Sequence, residues 1–475
     1  MKFLFVHQNF PGQYLHIVRD LLAEGGHEIV FMTEPNRNAI PGVRKVTYAA
    51  PPRVPDGVHP AAREYDMAMR RAEAGYAGAM QIRALGFRPD IIVGHHGWGE
   101  MLNLCDVFPG VPILGYFEFY YRIDGTDVNY DPEFPMPPER FGAVRAKNGV
   151  NHLAFALGQH GQTPTEWQRS TYPAWMHGRL SIVREGVDLG ICRPDPALRR
   201  RTLKVGPLSV APRQKLITYV ARNLEPYRGF HTFMRALPRI LAARSDVVVS
   251  LVGGDEISYG APPPQGNWRG VMMQELAGRI DLSRVHFLGR VEYEDHIALL
   301  RRSDAHVYLS YPFVASWSLR EAMAVGAPIV GGDTPTVTEF IADGETGLVA
   351  ANLDPDSVAD AVLRMLEERD LAARLGDTAR AYATAHLDLA QYLRDFRAEM
   401  ARVAGREIVP EAPAPRRKAG SAAKAPPAKQ PAKTPPAKPA KASSAKPSGA
   451  KASPAKPAAV RKAAAAKPRA AARRR

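Results

Sequence analysis

Arg222 and Arg228 stand six positions apart, just ahead of Gly229, where a helical pattern begins. Downstream, the stretch 306–349 puts Gly331-Gly332 and Asp333-Thr334 between an apolar run and a helix, with Glu321 and Glu339 nearby. Two guanidinium groups, together with free N–H groups at helix starts, are what holds a phosphate. In the first half His95 and His96 follow the apolar run 91–93. An imidazole there can donate a hydrogen bond to a hydroxyl or carbonyl, and it changes protonation near neutral pH. Glu118 follows the run 111–117, where a carboxylate either orients a hydroxyl or pairs with Arg122. Gly12, in the loop 8–13, lets the backbone approach a ligand closely or simply closes a tight turn. Glu321 also has two readings: a ligand contact or, in Ser318-Leu-Arg-Glu321, the carboxylate of a helix capping box.

The elements that carry these residues follow from apolar patterning. Within 306–349, Val307, Tyr308 and Leu309 meet turn residues, and a short helical pattern then carries Leu319, Met323 and Ala324. A second apolar piece, 328–330, runs into Gly331 and Gly332, and a short helix covers 337–341. Strand, loop and helix, twice over, is the unit of a parallel sheet whose ligands sit at the carboxyl ends of its strands. The stretch therefore predicts a phosphate-bearing ligand. The same order opens the chain: a strand over 2–7, the loop with Gly12, a helix with Leu15, Val18, Leu21 and Leu22 on one face, then a strand over 28–32. A long helix is predicted over 62–85, and strands over 90–94, 111–117, 180–183, 215–220, 247–252 and 285–288.

Between the strands lie three segments of mixed signal. The loop 119–138 carries Asp124, Asp127, Asp131 and Glu133, but without the glycine and closing glutamate of a calcium loop, so it reads as solvated charge beside an acceptor. Thr163 caps a helix start at Pro164. The Pro- and Arg-rich stretch 192–213 reads as a linker and hinge. Helices are expected over 356–386, and a last one over 387–403 that crosses back to the first half.

At 475 residues the chain is long enough for two α/β domains, each with its own core. Two cysteines, Cys105 and Cys192, exclude a disulfide framework and fit a reducing compartment. The opening apolar run is too short for a signal peptide, and no stretch is long and apolar enough to span a membrane. A net charge of +15 resembles that of a nucleic-acid binder until it is located. Eighteen Lys and Arg and no acid fall between 412 and 475, which leaves residues 1–411 at −3. That tail repeats Ala-Lys-Pro words, lacks aromatic residues and cannot bury a core, so it is expected to be disordered.

The sequence Glu321-Ala-Met-Ala-x-Gly-x-Pro-Ile-Val, followed by Asp333-Thr334-Pro, Glu339 and Asp343-Gly-x-x-Gly347, resembles the nucleotide-sugar site of the retaining glycosyltransferases of family 4. Ala221-Arg222-Asn-Leu-Glu-Pro-Tyr-Arg228-Gly229 resembles the element with which that family holds the donor diphosphate, Arg228 standing for its lysine. Residues 7–13 resemble the first loop of a bacterial branch. The resemblance covers residues 1 to about 405 and implies the GT-B architecture: two doubly wound parallel-sheet (Rossmann-like) domains facing a cleft. The boundaries it suggests are 1–192 for an acceptor-side domain, 193–405 for the nucleotide-sugar domain and 406–475 for the tail. It further implies transfer of a hexose-type sugar from a nucleoside diphosphate to a saccharide or lipid-linked acceptor, with retention and without metal or cofactor.

Residue by residue, the resemblance puts Glu321 on the nucleotide ribose, Gly289 at the base, Thr334 and Glu339 in the donor site, and His95, with His96 as its rival, before the transferred sugar. Gly12 and Glu118 fall on the acceptor side. Besides Arg228, two positions depart from the family: Phe313 stands where a glutamate usually touches the donor sugar, and Glu118 where many relatives have a histidine. Phe313, Val314, Ala315 and Ser316 are then expected to line the sugar, with backbone N–H groups in place of the missing acid. A cytoplasmic enzyme of cell-envelope polysaccharide synthesis, peripheral at the inner membrane face, is the expected setting. The tail resembles those of linker histones and would bind a polyanion, nucleic acid or anionic lipid, by counterion release. The competing readings are an inactive scaffold that serves the tail and an epimerase on the same architecture.

Overall fold

Short apolar runs buried on both faces need helices above and below them, and a parallel sheet results. The computed structural model describes residues 1–410, and the basic stretch beyond lies outside them. The first sheet contains β1 (Lys2–Val6), β2 (Glu28–Thr33), β3 (Val43–Thr47), β4 (Ile91–His95), β5 (Ile113–Tyr116), β6 (His160–Thr163) and β7 (Leu180–Ile182). They lie in the order β3-β2-β1-β4-β5-β6-β7, and every pairing is parallel.

A small antiparallel hairpin, β8 (Leu203–Val205) with β9 (Leu208–Val210), precedes the second sheet. That sheet is built from β10 (Lys215–Asn223), β11 (Val247–Gly254), β12 (Val285–Gly289), β13 (Ala305–Tyr308), β14 (Ile329–Gly332) and β15 (Leu348–Ala350). Its order, β12-β11-β10-β13-β14-β15, is again wholly parallel. In both sheets the order reverses beside the first strand, so each has a switch point, between β1 and β4 and between β10 and β13. The carboxyl ends of those four strands and the loops that leave them carry Gly12, His95, Arg222, Arg228 and the segment 313–316.

The expected linker over 192–213 is corrected by the structure. Leu203, Val205, Leu208 and Val210 alternate inward around a turn at Gly206 and pack with Leu216 and Val248, so the segment is part of the second lobe. A run rich in Pro and Arg masked this period-two signal. The crossing between lobes lies elsewhere, where Val187 N–H donates to Leu387 O at 2.8 Å and Leu389 N–H to Val187 O at 3.0 Å. A Cβ added at Gly186 would lie 2.6 Å from Asp388 O, so only glycine permits this approach.

The last helix, Leu389–Ala404, does return to the first lobe. Tyr392, Phe396, Met400 and Val403 join Phe3, Phe5 and Tyr14 in one buried cluster. Arg397 pairs with Asp20 and Glu24, both at 2.6 Å.

The acidic loop also departs from expectation, for it is anchored on the second lobe. Tyr227 donates to Asp127 at 2.9 Å, His231 and Tyr311 contact Asp131 at 2.9 and 2.5 Å, and Arg235 pairs with Glu133 at 2.6 Å. Charge spacing alone does not reveal partners a hundred residues away.

Candidate active site

Between the lobes lies a cleft of about 1080 Å³, lined by both switch-point regions. Of the residues singled out in the sequence, Gly12, His95, Glu118, Arg222, Arg228, Phe313, Val314, Ala315 and Ser316 line it. The first-lobe wall rests on two strand ends. Gly12 has φ +55°, and a Cβ there would press within 2.7 Å of the His7 ring, so the loop after β1 closes on that histidine only with glycine. His7 is buried and accepts from Asn9 N–H at 2.9 Å. Burial and the neighbouring His95 push its pKa down to about 3, so it is neutral at physiological pH.

His95 stacks on Trp98 at 3.9 Å between ring centres, and its Nε2 lies 3.7 Å from Glu118 Oε2. His96, its rival, turns into the core: Nε2 meets Val150 O at 2.8 Å, and burial lowers its pKa to about 4. Glu118 does not pair with Arg122. Burial by itself would raise its pKa, but His95 first, then Arg228, hold the carboxyl below its ordinary value.

The second-lobe wall supplies cations. The side chain of Arg222, exposed at the end of β10, has no hydrogen bond or ion pair among the described residues. Arg228 is buried and donates through Nη1 to Ser310 Oγ at 3.0 Å and Val314 O at 2.7 Å, beneath the Tyr259 ring at 5.0 Å. Gly229 then opens the helix Phe230–Ala243 with φ +67°.

The loop 313–316 is only partly free to bind a ligand. Phe313 N–H is taken by Tyr311 O at 2.6 Å and Ser316 N–H by Tyr308 OH at 2.6 Å, whereas the amides of Val314 and Ala315 have no partner among the described residues. The Phe313 ring is 3% exposed and packs against Phe119 of the first lobe at 4.8 Å and Tyr259 at 5.0 Å. Trp167 Nε1 donates to its carbonyl at 2.8 Å. An aromatic contact between lobes thus occupies this position.

Four other expected donor residues lie off the cleft lining. Glu321 accepts from Tyr293 OH at 3.0 Å and contacts His296 Nε2 at 2.8 Å. The capping box is not formed, because Ser316 is the N-cap and receives Ser318 N–H at 3.2 Å. Thr334 donates to Ser310 O at 2.9 Å. Glu339 reaches across to the first lobe, where Glu166 and Trp167 N–H groups donate to it at 3.0 and 2.9 Å and Arg184 pairs with it at 3.2 Å. Gly289 ends β12 with φ +64°.

The sequence reading missed Trp98, Tyr259, Lys147 and Glu185, which also line the cleft. Trp98 carried a signal, three positions beyond His95; the other three come from loops and helices with no local mark of function. Asp131, Glu133 and His231 bring ligand atoms within 4.8 Å of one another, a cation-like spacing. Their partners are Tyr311, Arg235 and each other, which reads as an interlobe anchor.

The geometry is a cleft with Arg222 and Arg228 on one wall and a carboxylate–imidazole pair on the other, suited to holding a phosphate ester while an attached group reacts. Comparison with known proteins bears on the fold and the family. A family model described as "Glycosyl transferase family 4 group" matches residues 25–191, and one described as "Glycosyl transferases group 1" matches 206–382. A D-rhamnosyltransferase of Pseudomonas aeruginosa is 32% identical over 336 residues, 70% of this chain and 78% of that protein. A glycogen synthase of Mycobacterium tuberculosis is 23% identical across 82% of this chain and 91% of its own length. Among solved structures, sucrose-phosphate synthase from Thermosynechococcus elongatus superposes with a TM-score of 0.63 at 17% identity, covering 85% of this chain and 98% of that one. The chain belongs to the family 4 group of glycosyltransferases, enzymes of the GT-B fold that act on nucleotide sugars.

Proposed function

We propose that the protein transfers a hexose-type sugar from a nucleoside diphosphate to a saccharide or lipid-linked acceptor, with retention of anomeric configuration and without a metal ion. The observation that carries this reading is the pairing of Arg222 and Arg228 on one wall with His95 and Glu118 on the other. The diphosphate leaves with growing negative charge, which the two guanidinium groups stabilise electrostatically. Val314 and Ala315 offer free amides for the sugar or phosphate. His95 donates to a sugar hydroxyl, and the loop at Gly12 borders the acceptor. Glu321, Thr334, Glu339 and Gly289 serve the nucleotide end, Glu321 and Glu339 after exchanging a present partner for the ligand.

Retention follows from attack on the face that the leaving group vacates, with a phosphate oxygen taking the acceptor proton. The setting we infer is the cytoplasmic side of the membrane in envelope polysaccharide synthesis, the basic tail holding the enzyme to a polyanion. The test is to incubate the full chain with a nucleotide sugar and a saccharide panel, with and without chelator, and read the anomeric coupling of the product by NMR. Product of unchanged configuration, formed equally with chelator, is expected; inverted product or loss with chelator contradicts the corresponding part.

A further inference from the structure

We propose that Glu118 is a catalytic residue: its carboxylate lies beside the anomeric carbon of the bound donor and balances the positive charge that develops there as the nucleoside diphosphate leaves. The inference rests on the donor reading above and adds a group that the reading does not require.

Five carboxylates line the cleft, and four of them are held by a partner at 3.2 Å or closer. Glu64 pairs with Lys147 at 3.2 Å, Asp127 accepts from Tyr227 at 2.9 Å, Asp131 from His231 at 2.9 Å, and Glu185 from Trp317 at 2.9 Å. Glu118 has only the His95 ring, at 3.7 Å, as an ion-pair partner among the described residues, and its side chain is 32% exposed to the cleft. The backbone around it is fixed. Gln168 Nε2 donates to Glu118 O at 2.7 Å, the Phe119 ring is wedged against Phe313, Thr171 receives Tyr120 N–H at 3.2 Å, and Asn148 receives Tyr121 N–H at 2.9 Å. A carboxylate on a backbone fixed this way is placed at the cleft before substrate arrives, and a charge placed in advance stabilises the opposite charge developing in a transition state.

The opposed walls match the charges of the step. The C1–O bond to the diphosphate breaks with its electron pair going to the phosphate oxygen, on the side of Arg222 and Arg228. The glycosyl carbon becomes oxocarbenium-like, facing Glu118. The acceptor oxygen then bonds to C1 and its proton passes to the phosphate oxygen, so Glu118 ends as it began. A base for the acceptor would work best with a pKa near the working pH. His95 and Arg228 face Glu118 and lower its pKa despite burial, which favours a fixed anion over a proton acceptor.

The test uses the full chain, Glu118→Gln and Glu118→Asp, with UDP-glucose, UDP-N-acetylglucosamine and GDP-mannose as probes and no acceptor. Calorimetry reads donor binding, and released nucleoside diphosphate reads slow donor hydrolysis. For Glu118→Gln, donor affinity is expected within about threefold of wild type, while hydrolysis falls about a hundredfold. Glu118→Asp, which moves the carboxylate back by one methylene, is expected to lose about tenfold in the same rate. It decides the matter if the amide variant does not fold. Unchanged hydrolysis in a folded variant, or a loss confined to acceptor-dependent transfer, overturns the proposal and leaves the donor reading standing. A wild-type chain that binds a probe without cleaving it also overturns the proposal. A wild-type chain that binds none of the probes overturns both.

Discussion

Arg222 is the side chain whose removal separates function from stability most cleanly. It is exposed and pairs with nothing described, so Arg222→Ala should shift stability by no more than about 0.5 kcal/mol. A charge-assisted bond to phosphate contributes about 1.5–3 kcal/mol, so nucleotide-sugar affinity should drop at least about tenfold by calorimetry. The buried histidines give a second prediction. His7 and His306 are lowered to about 3 and His96 to about 4, burial being the first cause in each. Between those values and about 6.5 the unfolded chain binds protons that the native state refuses, so stability falls as pH falls. Thermal melts should show a lower midpoint at pH 5 than at pH 7.5; an equal or higher midpoint at pH 5 contradicts the assignment of these rings as buried and neutral. At this scale the sequence was legible where a residue type met a strand end, as at His95, Glu118 and Arg222. It was not legible where the partner comes from the other lobe, as with Glu339 or Phe313, because no local pattern encodes a contact across a cleft.

The loop 119–138 and the last helix each tie one part of the chain to a distant one. Asp131 lies buried between His231 and Tyr311, which outweigh burial and lower its pKa. Asp131→Asn should therefore loosen the loop from the second lobe, and limited proteolysis should cut within 119–138 faster than in wild type. Equal cutting rates would mean that Asp127, Glu133 and the Phe119–Phe313 contact hold the loop by themselves. Phe396 is fully buried among Phe3, Phe5 and Tyr14, so Phe396→Ala should cost about 3–5 kcal/mol in denaturant unfolding. The strands and this helix were readable because apolar period and length suffice to mark them. The hairpin at 203–210 was not, since each arm is only three residues long and prolines and arginines surround it.

The whole molecule joins a mildly acidic body to a basic tail. Residues 1–411 carry −3 of a total of +15, so the tail dominates the long-range field. Deleting 412–475 should leave nucleotide-sugar affinity unchanged and abolish binding to a polyanion such as heparin, which in the full chain should weaken steeply with salt. The two-lobed architecture was legible from the repeated strand–loop–helix order, and the cleft from the switch points that this order implies. What closes the cleft, the acidic loop and the Phe119–Phe313 contact, was not. The most direct measurement of the central claim is calorimetric titration of the full chain, wild type and Arg222→Ala, with a panel of nucleoside diphosphates and their sugars. One nucleoside series should bind the wild type and bind the variant at least about tenfold more weakly. A folded wild-type chain that takes up none of them, or a variant that binds as tightly, would contradict the account.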